Sequence, residues 1–322
     1  MLSQEGELEK MKKTNLFAIL TLAATPAFLH AQVTSYSGIV GYSKVNVSAG
    51  GGVVAPVFVK PAVFVGSSTI SGQTFSGSFT SSLNPTSFSD RPNYPTHYIE
   101  ITSGVNEGLS FDVISAGPSG ITTSGVPSGL NGTSVSIVVR PHVTLGDIAA
   151  SSAGLADFSD AITVYRENNQ KSSYIYTTSG VVGDDYSTPS DNVIIYPGYA
   201  VLFNTIGAST FTLQGEVKTT KTKVPLFAGE TLIAPVDPQG GKKVSQLNLA
   251  GALEGYTDAI SLVSTTGNLG LSSFYSDGTT DMLDENYTPV DSSTDKVVAA
   301  GNGFIVNTLQ DRTWTANSPV TP

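Results

Sequence analysis

Apolar and polar positions alternate along this chain in short runs, and the runs stop at clusters of Gly, Ser, Asn and Asp. Period two over about four to eight residues marks half-buried strands, and the interrupting residues are those that turn a backbone. The pattern predicts an all-β fold. Tyr36–Val47 reads as a first strand, and after it several stretches return in the same order. Ala49–Val57 and Ala228–Val236 share AG, two free positions, two aliphatic residues and APV, with the proline at a strand end because it cannot donate to a ladder. Asp160–Val164 (DAITV) pairs with Asp258–Leu262 (DAISL), and each follows a stretch predicted to be helical, Leu145–Asp157 and Val244–Glu254. Next come an aromatic strand (Tyr174–Tyr176 or Ser273–Tyr275), then Asp185–Pro189 or Asn286–Pro289. Asp191–Thr205 (DNVIIYPGYAVLFNT) and Asp295–Thr308 (DKVVAAGNGFIVNT) close the series. Each reads as a hairpin, around Tyr196-Pro197-Gly198-Tyr199 or Gly301-Asn302-Gly303.

The expectation is two repeated β units, sandwich- or barrel-like and each with a short helix. The first is residues 32–65 plus 140–217, and the second is 218–322. The first unit is interrupted between its APV and DAI motifs by an inserted small barrel-like domain at 66–139. Five short strands are predicted in the insert, at Ser68–Ile70, Tyr98–Thr102, Leu109–Ile114, Ile121–Thr123 and Val135–Val139.

Charged residues make up 13% of the 322, and the net charge is −10. With no basic patch, the chain is not expected to bind nucleic acid. Met11-Lys12-Lys13, the apolar Leu16–Ala24 and the small residue Ala31 read as a secretory signal peptide at 11–31, and residues 1–10 as a misassigned extension before the true start at Met11. The chain is expected to be exported to the periplasm, cell surface or medium, with no transmembrane span once the signal is removed. It has no cysteine, so disulfides and thiol chemistry are excluded.

Val40–Val45 (VGYSKV), Pro56–Pro61 (PVFVKP), His97–Val113 (HYIEITSGVNEGLSFDV), Arg140–Leu145 (RPHVTL) and Gly303–Asn307 (GFIVN) together resemble a family of secreted β-rich proteins abundant in Verrucomicrobia-like bacteria. The resemblance implies export and a shared architecture, and it transfers no catalytic residue.

Chemistry is sparse. His97 and His142 lack metal-ligand spacing and read as structural. Gly117–Gly120 is a turn rather than a nucleophile elbow, and Gly50–Gly52 lacks the lysine of a phosphate loop. The carboxylate pairs Asp184–Asp185 and Asp284–Glu285 could flank a sugar, yet they sit in polar loops. Asp277, Asp281, Asp284, Glu285, Asp291 and Asp295 crowd one loop, which reads as solvated acids or, alternatively, as a calcium site. No other cofactor is expected.

The reading is an exported, non-enzymatic structural or surface-associated protein that packs against itself or other envelope components. The alternative is a carbohydrate-binding or adhesive module that presents Tyr186, Tyr196, Tyr199, Tyr287 and Trp314 to glycans.

Overall fold

A computed structural model describes residues 38–79, 87–88, 91–239, 241–263 and 269–320. The signal peptide at 11–31 and the extension at 1–10 lie outside the described residues. The fold is all-β, with one short α-helix among the described residues.

The stretch between the halves of the first unit closes into a six-stranded antiparallel barrel. Its order is Ser134–Pro141, Phe64–Ser71, Thr74–Ser76, Gly120–Thr123, Ser110–Gly117, His97–Ile101 and back to the first. Inward positions alternate as closure requires, and Ile70, Phe75, Ile99, Ile101, Phe111, Val113, Ile121, Val135, Ile137 and Val139 fill the interior. Strand Thr74–Ser76 was not read from the sequence, because three residues carry too little alternation to see. It closes the barrel all the same.

Two five-stranded antiparallel sheets flank the barrel connections. In the first the order is Gly180–Gly183, Lys171–Thr177, Ala161–Tyr165, Val201–Asn204, Gly52–Val54. In the second it is Met282–Leu283, Leu269–Ser276, Ala259–Val263, Phe304–Thr308, Gly229–Ile233. The two orders match strand for strand. Accessory pairs match too: Val143–Thr144 with Ile194–Ile195 and Lys242–Lys243 with Val297–Val298, then Val40–Val47 with Ser209–Glu216 and Thr222–Leu226 with Arg312–Ala316.

The two hairpin predictions are corrected. Both tight turns form: Tyr199 N–H donates to Tyr196 O (3.0 Å) and Asn302 N–H to Ala299 O (3.0 Å), with Gly198 and Gly301 at φ 90° and 77°. The arms do not pair with each other, however. Ile194–Ile195 goes to Val143–Thr144, whereas Val201–Asn204 goes to Ala161–Tyr165 and Gly52–Val54, so each turn carries the chain between sheets. The helix predictions shorten. Thr144 and Asp147 form a capping box that starts Leu145–Ala150, but the Ser151 and Ser152 hydroxyls donate to Ile148 O and Ala149 O and Ser152–Ala153 joins a sheet. In the second unit the predicted helix is two 3-10 turns, Val244–Gln246 and Ala250–Ala252, parted by Asn248 at φ 56°.

The sheets meet reciprocally. Ala55 N–H donates to Gly301 O (2.8 Å), and Ala234 N–H to Gly198 O (2.9 Å). Between them lies a core of Val53, Ala55, Ala200, Leu202 from one side and Leu232, Ala234, Ile305 from the other. Each patch meets its counterpart, the pattern of an isologous interface.

Candidate functional site

A groove of about 440 Å³ opens where the barrel and both sheets converge. Tyr196 and Tyr199 project into it from the turn after Ile194–Ile195, joined by Tyr165 and Arg166 at the end of Ala161–Tyr165, Asp112 from the barrel, and Lys223, Pro225 and Phe227 from the second unit. The rings are fixed by their hydroxyls. Tyr196 donates to Asp112 Oδ2 (2.7 Å), and Tyr199 donates to Pro225 O (2.6 Å), with burial pushing its pKa up. Behind Tyr196 lies the buried His142, Nε2 3.1 Å from Asp112 Oδ1, its ring edge-on to Tyr196 at 5.2 Å and 5.0 Å from the Tyr98 ring. His97 is held neutral more readily than a free imidazole: burial lowers its pKa first, then His142 and Lys60.

The five predicted contact residues are not brought to one face. Trp314 is corrected to a core residue: it is buried, its Nε1 donates to Leu247 O (2.7 Å), and it meets Phe304 edge-on at 6.0 Å. Strand Arg312–Ala316 turns it inward because it alternates with the outward Thr313 and Thr315. Tyr196 and Tyr199 share the groove. Tyr186 and Tyr287 stand elsewhere, in loops that follow the strand Gly180–Gly183 and the strand Met282–Leu283 of the two sheets.

Those loops have a common construction. Tyr186 (58% exposed) and Tyr287 (51%) both adopt φ 59°, and Phe158 (55%) and Tyr256 (60%), at matching places before Ala161–Tyr165 and Ala259–Val263, adopt 52° and 60°. Next to Phe158, the buried Asp160 accepts from Ala156 N–H (2.8 Å) and Ile206 N–H (2.9 Å); next to Tyr256, the buried Asp258 accepts from Glu254 N–H (2.8 Å) and Leu309 N–H (3.0 Å). Ile206 and Leu309 are exposed as well. In the second unit Tyr287 stacks on Tyr275 at 4.8 Å and lies 6.2 Å from Tyr256.

Asp185, Asp277, Asp284 and Asp291 serve their own turns, and Asp295 holds the distant Ser245. Asp185 accepts from Ser187 and Thr188, Asp277 from Thr279 and Asp281, Asp284 from Asn286 and Thr288, Asp291 from Ser293 and Thr294, and Asp295 from Ser245. Those bonds hold Asp185 and Asp291 down to about 2. Among the described residues no three acids or histidines gather as a metal would require. Neither Asp184–Asp185 nor Asp284–Glu285 lines the groove.

Sequence reasoning missed Tyr165, Arg166, Lys223 and Phe227, which reach the groove from distant segments and share no local spacing. A buried ionic knot also escaped it. Lys218 Nζ lies 2.6 Å from Glu100 Oε1, and Arg140 Nη2 lies 2.6 Å from Glu216 Oε1 while Nη1 donates to Lys60 O, tying the barrel to the sheets.

Comparison with family models, curated proteins and solved structures gives no match.

Proposed function

We propose that the chain is an exported, non-enzymatic structural protein of the cell surface that assembles with copies of itself, and that its two sheet units descend from one duplicated unit. One observation carries the assembly reading: exposed aromatics in left-handed backbone at two matched places in each unit. Such a conformation costs a residue other than glycine about 1–2 kcal/mol; Tyr287 offsets part of it by stacking on Tyr275, while Phe158 and Tyr186 have no ring partner among the described residues. Alike exposed rings at two separate places of one chain offer more than one point of attachment, the arrangement an assembling component needs. The matched strand orders and the paired Asp160 and Asp258 support duplication, and the Met11–Ala31 pattern supports export. Negative-stain microscopy of the purified protein tests the reading. Regular filaments, sheets or rings are expected, and isolated particles at every concentration would overturn it.

A second reading rests on the groove. Tyr165, Tyr196 and Tyr199 beside Arg166 and Asp112 offer ring faces and polar edges to a glycan. A glycan panel repeated with Tyr196→Ala should show binding that the variant loses, and a panel without binding removes this reading.

A further inference from the structure

Strand Val40–Val47 lies at the edge of its three-stranded sheet and pairs on one side alone among the described residues. Val217 N–H donates to Ile39 O, while Glu216 exchanges both of its backbone bonds with Val59, and Thr212 N–H goes to Ser151 O. With Val40 opposite Glu216 and Lys44 opposite Thr212, the N–H and C=O groups of Val40, Tyr42, Lys44 and Asn46 therefore point away from the sheet. Ile39, Val40 and Tyr42 are 59%, 72% and 75% exposed. An eight-residue edge whose outer side is unpaired among the described residues, with Val40 and Tyr42 exposed and Lys44 its one charge, is a template for another strand.

The second unit shows what its counterpart does. Lys223 occupies the place in Thr222–Leu226 that Lys44 occupies in Val40–Val47, and there the edge is covered: Lys223 N–H donates to Gly108 O (3.0 Å) and its Nζ to Val105 O (3.0 Å) of the barrel. The barrel turn at 105–108 is thereby engaged by the second strand, and no described residue covers the first edge in the same way. Its only charged residue is Lys44, and a second copy of the same strand offers the exposed ring of Tyr42 as a partner for that lysine.

Resting on the assembly reading above, we propose that two copies pair antiparallel through Val40–Val47 about a two-fold axis at Ser43. Outward groups meet only in registers that set even-numbered residues opposite even ones. Of the two such registers with the fullest overlap, one sets Lys44 against Lys44, which like charges disfavour. The other sets Lys44 over Tyr42 of the second copy, Val40 against Asn46 and Ser43 against Ser43, in a position without cross-bonds where Cα atoms stand about 4.5 Å apart.

The chain lacks cysteine, so Ser43→Cys gives a single reporter thiol. Under mild oxidation the full chain should form a disulfide-linked dimer, the Cα separation being suited to the bond. Adding Lys44→Pro, which removes an outward N–H and no existing sheet bond, should cut the dimer about tenfold while circular dichroism stays unchanged. Sedimentation of the cysteine-free Lys44→Pro variant should show the same loss of association. No crosslink in a chain that still assembles would overturn the edge pairing and leave the assembly reading standing. No crosslink in a chain that stays monomeric would remove both, and a dimer that survives Lys44→Pro would mark collision rather than pairing.

Discussion

Gly301 lies directly over Val45: a Cβ at Gly301 would stand 2.2 Å from Val45 Cγ2, and its carbonyl accepts from Ala55. The same arrangement recurs with the units exchanged, where a Cβ at Gly198 would stand 2.3 Å from Val224 Cγ2. Both glycines also have positive φ, so a side chain is excluded twice over. Gly198→Ala and Gly301→Ala should each destabilise by about 2–4 kcal/mol in urea titrations, from backbone strain plus overpacking. Val224→Ala should relieve part of the first and none of the second, and Val45→Ala the reverse. Equal rescue by either valine would show that the contacts are not specific.

Asp160 and Asp258 each satisfy two backbone N–H groups beneath an exposed aromatic. Alanine at either position removes the charged acceptor of both N–H groups, a loss of about 1.5–3 kcal/mol, whereas asparagine, keeping one acceptor, should lose less. Amide exchange at Ile206 and Leu309 reads the effect locally. Protection that survives both alanine variants would contradict the assignment.

The Glu100–Lys218 pair is buried on both sides, and burial, outweighing the attraction of Glu100, lowers the Lys218 pKa. Glu100→Gln or Lys218→Met alone should cost about 3–5 kcal/mol by stranding a charge, while Glu100→Leu with Lys218→Met should come close to the parent. The pH dependence has a definite sign. Between the folded pKa and the ordinary 10.5 the unfolded chain binds more protons, so this group's contribution to stability rises with pH across that window and vanishes in Lys218→Met.

His97 and the loop acids titrate on the acid side. A lowered His97 pKa means that stability falls as pH drops below 6.5, where the unfolded imidazole protonates first. For Asp185 and Asp291, stabilisation is complete above 3.8 and is lost as pH falls through about 2. Carboxyl and imidazole resonances followed by NMR give each midpoint. Since these acids are already engaged by their own turns, millimolar calcium or chelator should leave the melting temperature unchanged, and a calcium-dependent rise would restore a metal site.

Much of the fold could be read from the chain because strands write themselves locally. Alternation at Ile99–Ile101 and Val135–Val139 marked the barrel wall, and a helix is predicted from Leu145, though its capping box of Thr144 and Asp147 is seen only in the structure. Pairing partners are not local: nothing in Ile194–Tyr196 says that it joins Val143–Thr144 rather than Val201–Asn204. Trp314 was misread for a related reason, since an aromatic in a short strand faces core or solvent according to a register set by its partners. The groove stayed hidden because its lining comes from distant stretches of the chain, whereas Tyr186 and Tyr287 stand out in the sequence because a tyrosine shortly before a threonine-proline pair repeats visibly.

Sedimentation equilibrium of the purified protein over a wide concentration range, beside a variant carrying Phe158→Ser, Tyr186→Ser, Tyr256→Ser and Tyr287→Ser, tests the assembling surface most directly. The account predicts a mass that climbs with concentration in the parent and association weakened about tenfold or more in the variant, whose positive-φ positions are all solvent-facing and tolerate serine. A parent that holds the monomer mass throughout, or a variant that associates as the parent does, would contradict it.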